Sequence, residues 1–123
     1  MFTITIPIRL VNETNAREHW AVRAKRSKLQ RAGTFTFINR ARKYVVPELL
    51  NSPPWIITIS RIGKRKMDSD NLAISAKHVR DGIADALEVN DGDESKVKWE
   101  YKQEMRKYYA TKIEIHSANG KVP

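Results

Sequence analysis

The sequence predicts an α+β fold: a single domain over residues 1–123, with a mixed β-sheet and two main helices packed against it in the order β-α-β-α-β-β. Three observations predict it. The N-terminal segment alternates apolar and polar residues, a helical apolar stripe runs between residues 70 and 89, and strand-like runs stand before and after that stripe. With 123 residues the chain has room for one core. Its 41% apolar and 30% charged residues, with only five glycines and five prolines, argue against a disordered or fibrous chain.

Phe2 to Leu10 places Phe2, Ile4, Ile6, Ile8 and Leu10 on one side and Thr3, Thr5, Pro7 and Arg9 on the other, the pattern of a half-buried strand. Pro7 predicts a position at or near a sheet edge. Val11 to Ala16 reads as a loop. From Arg17 to about Tyr44 good helix formers dominate, as one long helix or as two broken near Gly33. Pro47, Pro53 and Pro54 bound a short connection, and Trp55 to Ile62 is a second strand rich in β-branched residues. In the next helix, Asp70 to Val89, a 100° step per residue puts Leu72, Ser75, Ala76, Val79, Ile83, Ala86 and Leu87 on one face. Asp70, Ile74, Lys77, Asp81 and Asp85 fall opposite. Asn90 to Ser95 is a turn, and Val97 to Met105 with Tyr108 to His116 are expected as a closing hairpin around Arg106 and Lys107.

Twenty-three Lys and Arg against fourteen Asp and Glu give a net charge of +9, and a small domain that basic usually meets a polyanion, nucleic acid first. Between Arg17 and Tyr44 nine basic residues face one acid, Glu18; Arg23, Lys25, Arg26 and Lys28 are the expected DNA-binding residues there. No apolar run approaches the ~20 residues of a membrane span, so no membrane is expected. The start of the chain lacks the pattern of a signal peptide. Cysteine is absent, which excludes disulfides and thiolate metal sites and fits a reducing cytoplasm.

Eight of the fourteen acids crowd between Asp68 and Glu94. The crowding begins in KRKMDSDNL, where Asp68 and Asp70 follow Lys64, Arg65 and Lys66, and continues in NDGDES, with Asp91 and Asp93. Clustered carboxylates repel one another unless protonated or neutralised by a hard cation such as Mg²⁺. The same residues also suit plain structural duties, Ser69 or Asp70 as a helix cap and NDGD as a turn. For His78, Asp81 and Asp85, on one side of the helix, a surface salt bridge is the expectation. For Trp20, Trp55, Trp99, Tyr101, Tyr108 and Tyr109, core or interface packing outweighs stacking on bases. No calcium-loop spacing and no glycine-rich phosphate loop occurs, so no nucleotide cofactor is expected.

The run RKMDSDNL, the following helix with its DGIADAL ending, and the acidic turn NDGDESKV before a strand resemble the RusA family of Holliday junction resolvases, small basic endonucleases of bacteria and prophages. The resemblance implies a cytoplasmic, homodimeric, metal-dependent endodeoxyribonuclease of DNA recombination and repair that cuts branched DNA, the four-way junction, by paired nicks. It implies Mg²⁺, or Mn²⁺, held by Asp68, Asp70 and Asp91 or Asp93, with Lys64, Arg65 and Lys66 on the flanking backbone. Where the family has a lysine one helical turn after the second aspartate this chain has Ile74, and Lys77, one turn on, is the catalytic counterpart. The alternatives are a non-catalytic basic DNA-binding module of phage origin and a general nuclease of flaps or other branched nucleic acid.

Overall fold

The computed structural model describes residues 1–12, 19–45 and 47–118. Most of the expected loop before the first helix, and the expected helix start at Arg17 and Glu18, lie outside the described residues. The elements run β1 (Phe2–Ile6), α1 (Trp20–Ala41), a 3-10 turn (Arg42–Tyr44), α2 (Pro47–Leu50), β2 (Trp55–Gly63), α3 (Ser69–Ser75), α4 (Lys77–Leu87), β3 (Val97–Met105) and β4 (Ala110–Ser117). This is the α+β fold the sequence predicts, with α2 as a helical turn inside the proline-bounded connection.

The sheet order is β1-β4-β2-β3. β1 pairs antiparallel with β4 from Phe2↔Ile115 to Ile6↔Thr111, and β4 pairs antiparallel with β2. β2 and β3 are parallel, in register from Trp55↔Val97 to Gly63↔Met105. Pro7 follows the last residue of the edge strand β1, a place where its missing N–H removes no ladder bond.

The expected hairpin of the last two strands is not formed. β2 lies between β3 and β4, and Arg106 to Tyr109 crosses over its end, where the Arg106 N–H donates to the Gly63 carbonyl at 2.8 Å. Two strand spacings are about 10 Å, which four residues span easily. The physical reason is burial. Ile57, Ile59, Thr58 and Ser60 of β2 are all at most 3% exposed, which suits an inner strand between β4 and β3, whereas β3 beyond Val97 is half-buried or exposed, as suits an edge.

α1, α2 and α4 pack on one face of the sheet, where Ile6, Ile38, Leu49, Ile57, Ile59, Val79, Ile83, Ile113 and Ile115 form the core. Every residue of the predicted stripe, Leu72 to Leu87, is buried. The helix itself is two: Ala76, at φ −90° and ψ −4°, separates α3 from α4. The Ser75 hydroxyl donates to the Leu72 carbonyl at 2.7 Å, a local bond that competes with the helical ladder at the break. Glu88 ends α4 in the left-handed region, at φ 58°, two residues before the sequence's turn signal at Asn90.

α1 runs unbroken through Gly33 and crosses α4 at Gly82. An added Cβ at Gly82 would stand 2.5 Å from the Arg31 carbonyl oxygen and 2.8 Å from Thr34 Cβ, so glycine sets the depth of the crossing. On either side of it, Ser27 Oγ and His78 Nε2 are 2.8 Å apart, and Arg31 binds Asp85 through both carboxylate oxygens at 2.7 and 2.9 Å. Asp85 thus makes a surface salt bridge, as expected, with Arg31 across the helix contact, and His78 meets Ser27 there. The Arg31 guanidinium holds the Asp85 carboxyl below the usual carboxylate range, with burial opposing it.

Candidate functional site

β2 ends at Gly63, and the segment from Lys64 to Met67 carries the chain to α3. Two side chains hold this segment from below. Arg61 Nη1 donates to the Arg65 carbonyl at 2.6 Å, while Gln103 on β3 grips Met67, accepting from its N–H at 2.8 Å and donating to its carbonyl at 2.6 Å. Met67 is buried, so the segment is pinned at both sides and Lys64, Arg65 and Lys66 are left exposed between the pins.

Asp68 takes the N-cap position of α3, with the extended backbone of a cap (φ −60°, ψ 145°), yet its carboxylate makes no capping bond. Asp70 lies in the first turn of α3. Both are exposed, and neither side chain has a hydrogen bond or ion pair among the described residues. A residue that capped for stability would spend its oxygen on the N2 or N3 amide. Here the two carboxylates are held beside three basic residues with their oxygens uncommitted.

Asp91 and Asp93 are engaged differently. Arg80 of α4 donates through Nη2 to the Asp91 carbonyl and through Nη1 to the Tyr101 hydroxyl, both at 3.0 Å. Its Nε stands 3.2 Å from Asp91 Oδ2, close enough to pair the charges but not aligned for a hydrogen bond. The Trp99 indole lies 5.0 Å from the same guanidinium and donates Nε1–H to the Asp91 carbonyl at 2.8 Å. Asp93 folds back on its own turn, accepting from the Ser95 amide at 3.0 Å and from the Ser95 hydroxyl, and these bonds lower its carboxyl below the ordinary value. A pocket of about 510 Å³ opens here, lined by Arg80, Asp91, Glu94, Trp99 and Tyr101.

The two aspartate pairs stand at opposite ends of the β2–α3–α4–β3 crossover. Met67, next to Asp68, is fixed at Gln103, whereas Asp91 is fixed at Trp99. Four residues of β3 separate those anchors, about 13 Å along a strand. Consistent with that, no group of three or more His, Asp or Glu side chains among the described residues is close enough to hold a metal ion. The donors that fit a hard cation are Asp68 and Asp70, since Mg²⁺ is commonly held by one or two carboxylates together with waters and substrate phosphates. Lys77 opens α4, exposed, on the far side of the Ala76 break from Ile74, which is also exposed.

On α1, Lys25 and Lys28 are exposed, while Arg23 and Arg26 are half-buried and have partners. Trp55 belongs to the core, with its Nε1 donating to the Leu49 carbonyl at 2.7 Å, and Trp99 and Tyr101 pack against that core. Trp20, at 74% exposure, and Tyr108 lie outside the core.

Three contributors were not foreseen: Gln103, Arg80 and Arg61. A signal existed for two of them. Gln103 shares the parity of Trp99 and Tyr101, and Arg61 that of Trp55, Ile57 and Ile59, so each is a polar residue at a core-facing strand position.

Comparison with models of known protein families, with curated protein sequences and with solved structures gives no match to this chain. Among the described residues no helix is long and apolar enough to cross a membrane.

Proposed function

We propose that the chain is a metal-dependent, structure-selective DNA endonuclease of the RusA type, resolving four-way junctions by phosphodiester hydrolysis. One observation carries this reading: Asp68 and Asp70, at the start of α3, have no side-chain partner among the described residues and directly follow a pinned basic segment. Asp68 and Asp70 would hold Mg²⁺ or Mn²⁺. A cation bound there supplies Lewis-acid charge against the scissile phosphate and favours the hydroxide form of the attacking water. Lys64, Arg65 and Lys66 hold the backbone on either side, and Lys25 and Lys28 add grip that is independent of sequence. Asp91, held by Arg80 and Trp99 at the other end of the crossover, stands outside this acidic pair. A homodimer with one site per protomer matches the symmetry of a junction in which two strands are cut.

The test compares the parent with Asp70→Asn on a four-way junction, a flap and a linear duplex, each with and without divalent cation. The parent should nick the junction only with metal. The variant should lose nicking while its DNA affinity holds or rises, because a negative charge has been removed next to phosphate. Undiminished cleavage by the variant would sink the assignment.

A second reading, a non-catalytic DNA-binding module, draws on the engagement of Asp91 by Arg80 and of Asp93 by Ser95. It predicts binding with no cleavage of any of the three substrates at any metal concentration.

A further inference from the structure

Arg61 is a charged residue in the wrong place for a surface role. It points to the helix-covered side of β2, is 7% exposed, and among the described residues is bonded only through Nη1, to the Arg65 carbonyl. Its Nε is enclosed with no acceptor. Gly63 leaves room for the guanidinium, since a Cβ there would stand 3.0 Å from Cζ and from Nη1. Among the described residues no carboxylate pairs with it, and the cation that acts on it is Arg9. Arg9 Cζ lies 3.8 Å from the centre of the Tyr109 ring and Lys64 Nζ 5.8 Å from the same point. Burial pushes the Arg61 guanidinium down from its ordinary value, and Arg9 adds to that push against an opposing effect of Tyr109.

A buried charge is normally paired, and breaking such a pair is expensive because the remaining charge is left uncompensated. Here Arg9 and Lys64 stand against the Tyr109 ring, and Arg61 lies within the electrostatic reach of Tyr109 and Arg9, without a described anion to balance them. The missing partner is therefore an anion from outside. Neighbouring cationic donors suit an oxyanion, and the arginine fork matches phosphate geometry.

We propose that Arg9, Arg61 and Lys64, arranged around Tyr109, form a phosphate-binding site. Arg61 is its fixed floor, while Arg9 and Lys64 are its exposed walls. The site goes beyond the hydrolytic reading and does not depend on it. Its position is nonetheless informative: Arg65, whose carbonyl Arg61 holds, is three residues from Asp68, at most about 11 Å of chain. That is about three nucleotide steps at 3.4 Å of rise each, so a strand reaching Asp68 can set a backbone phosphate on Arg61.

The experiment reads binding alone, with no divalent cation present. The Arg61 Nε–Hε and Tyr109 ring resonances are followed by NMR while inorganic phosphate, in one arm, and a short DNA duplex, in the other, are titrated into the parent and into an Arg9→Gln, Lys64→Gln variant. Both substitutions are at exposed positions, and an unchanged thermal midpoint checks that the variant is folded. In the parent the resonances should move in at least one arm. Movement with duplex at far lower concentration than with inorganic phosphate identifies a backbone diester as the source; movement with inorganic phosphate alone identifies a free phosphate. The variant should lose the phosphate response. In the duplex arm its salt slope should fall by up to about 0.9, the value for one phosphate contact. Silent Arg61 and Tyr109 resonances in both arms, or a variant that responds like the parent, would overturn the site. An Arg61→Lys variant keeps the charge but not the fork, and should weaken the response without abolishing it.

Discussion

Replacing Gly82 by alanine adds one methyl group where α1 crosses α4. That methyl would lie 2.5 Å from the Arg31 carbonyl oxygen, so the helices must part by about 0.5 Å even to reach 3.0 Å, a separation that real Cβ contacts rarely go below. The obstacle is backbone, which cannot rotate away, and overpacking of this kind costs roughly 1–3 kcal/mol, here near the upper end. Alanine returns about 0.8–1 kcal/mol through helix propensity, leaving a net loss of about 2 kcal/mol. For a chain of this size that lowers the thermal midpoint by about 8 °C. Gly33 on α1 supplies the control, because an added Cβ there meets only Ile8 Cδ1, at 3.4 Å. Gly33→Ala should be neutral or stabilise by up to about 1 kcal/mol. Urea and thermal unfolding of both variants, followed by circular dichroism, decide the matter. If Gly82→Ala matches Gly33→Ala in stability, the crossing is not set by van der Waals contact at Gly82 and the account of the helix layer fails.

Lys25→Gln together with Lys28→Gln should flatten the salt dependence of DNA binding by up to about 1.8 in log–log slope, with an unchanged thermal midpoint; an unaltered slope would mean that α1 faces away from DNA. Asp85 gives a pH test. Because Arg31 depresses its folded carboxyl below the unfolded value near 4, its contribution is present above that value and is lost as pH falls through the lowered one. The stability difference between the parent and Asp85→Asn, measured by urea unfolding, should therefore shrink from pH 6 towards pH 2; parallel profiles would refute the role of the pair.

The parts of the fold that sequence made legible are those whose signal is local. The α4 stripe and the alternation of β1 can be read because burial repeats with the period of the element. The break at Ala76 was missed because the stripe continues across it, and the apolar pattern does not register a change of axis when the residue at the change is itself buried. The false hairpin of β3 and β4 has the opposite origin: both strands are correct, but pairing is decided by β2, forty residues away, whose two-sided burial claims the centre. At the candidate site the acids could be found by type and spacing. What could not be read is which were committed, since the partners of Asp91 come from α4 and β3 and are adjacent only in the fold.

The pairing of β1 with β4 carries a consequence for how the molecule comes into being. Among the described residues β1 has no sheet neighbour except β4, with Phe2 opposite Ile115, so β1 has nothing to pair with there until β4 is available. Contacts so distant in sequence close large loops before they return any energy, which slows folding. On a ribosome the β2–α3–α4–β3 unit can assemble first, while Ile4 and Ile6 remain exposed to solvent or to a chaperone. Completion of the sheet is thus a late, all-or-nothing event, and damage confined to residues 110–117 would unseat the N-terminal strand as surely as damage to β1 itself.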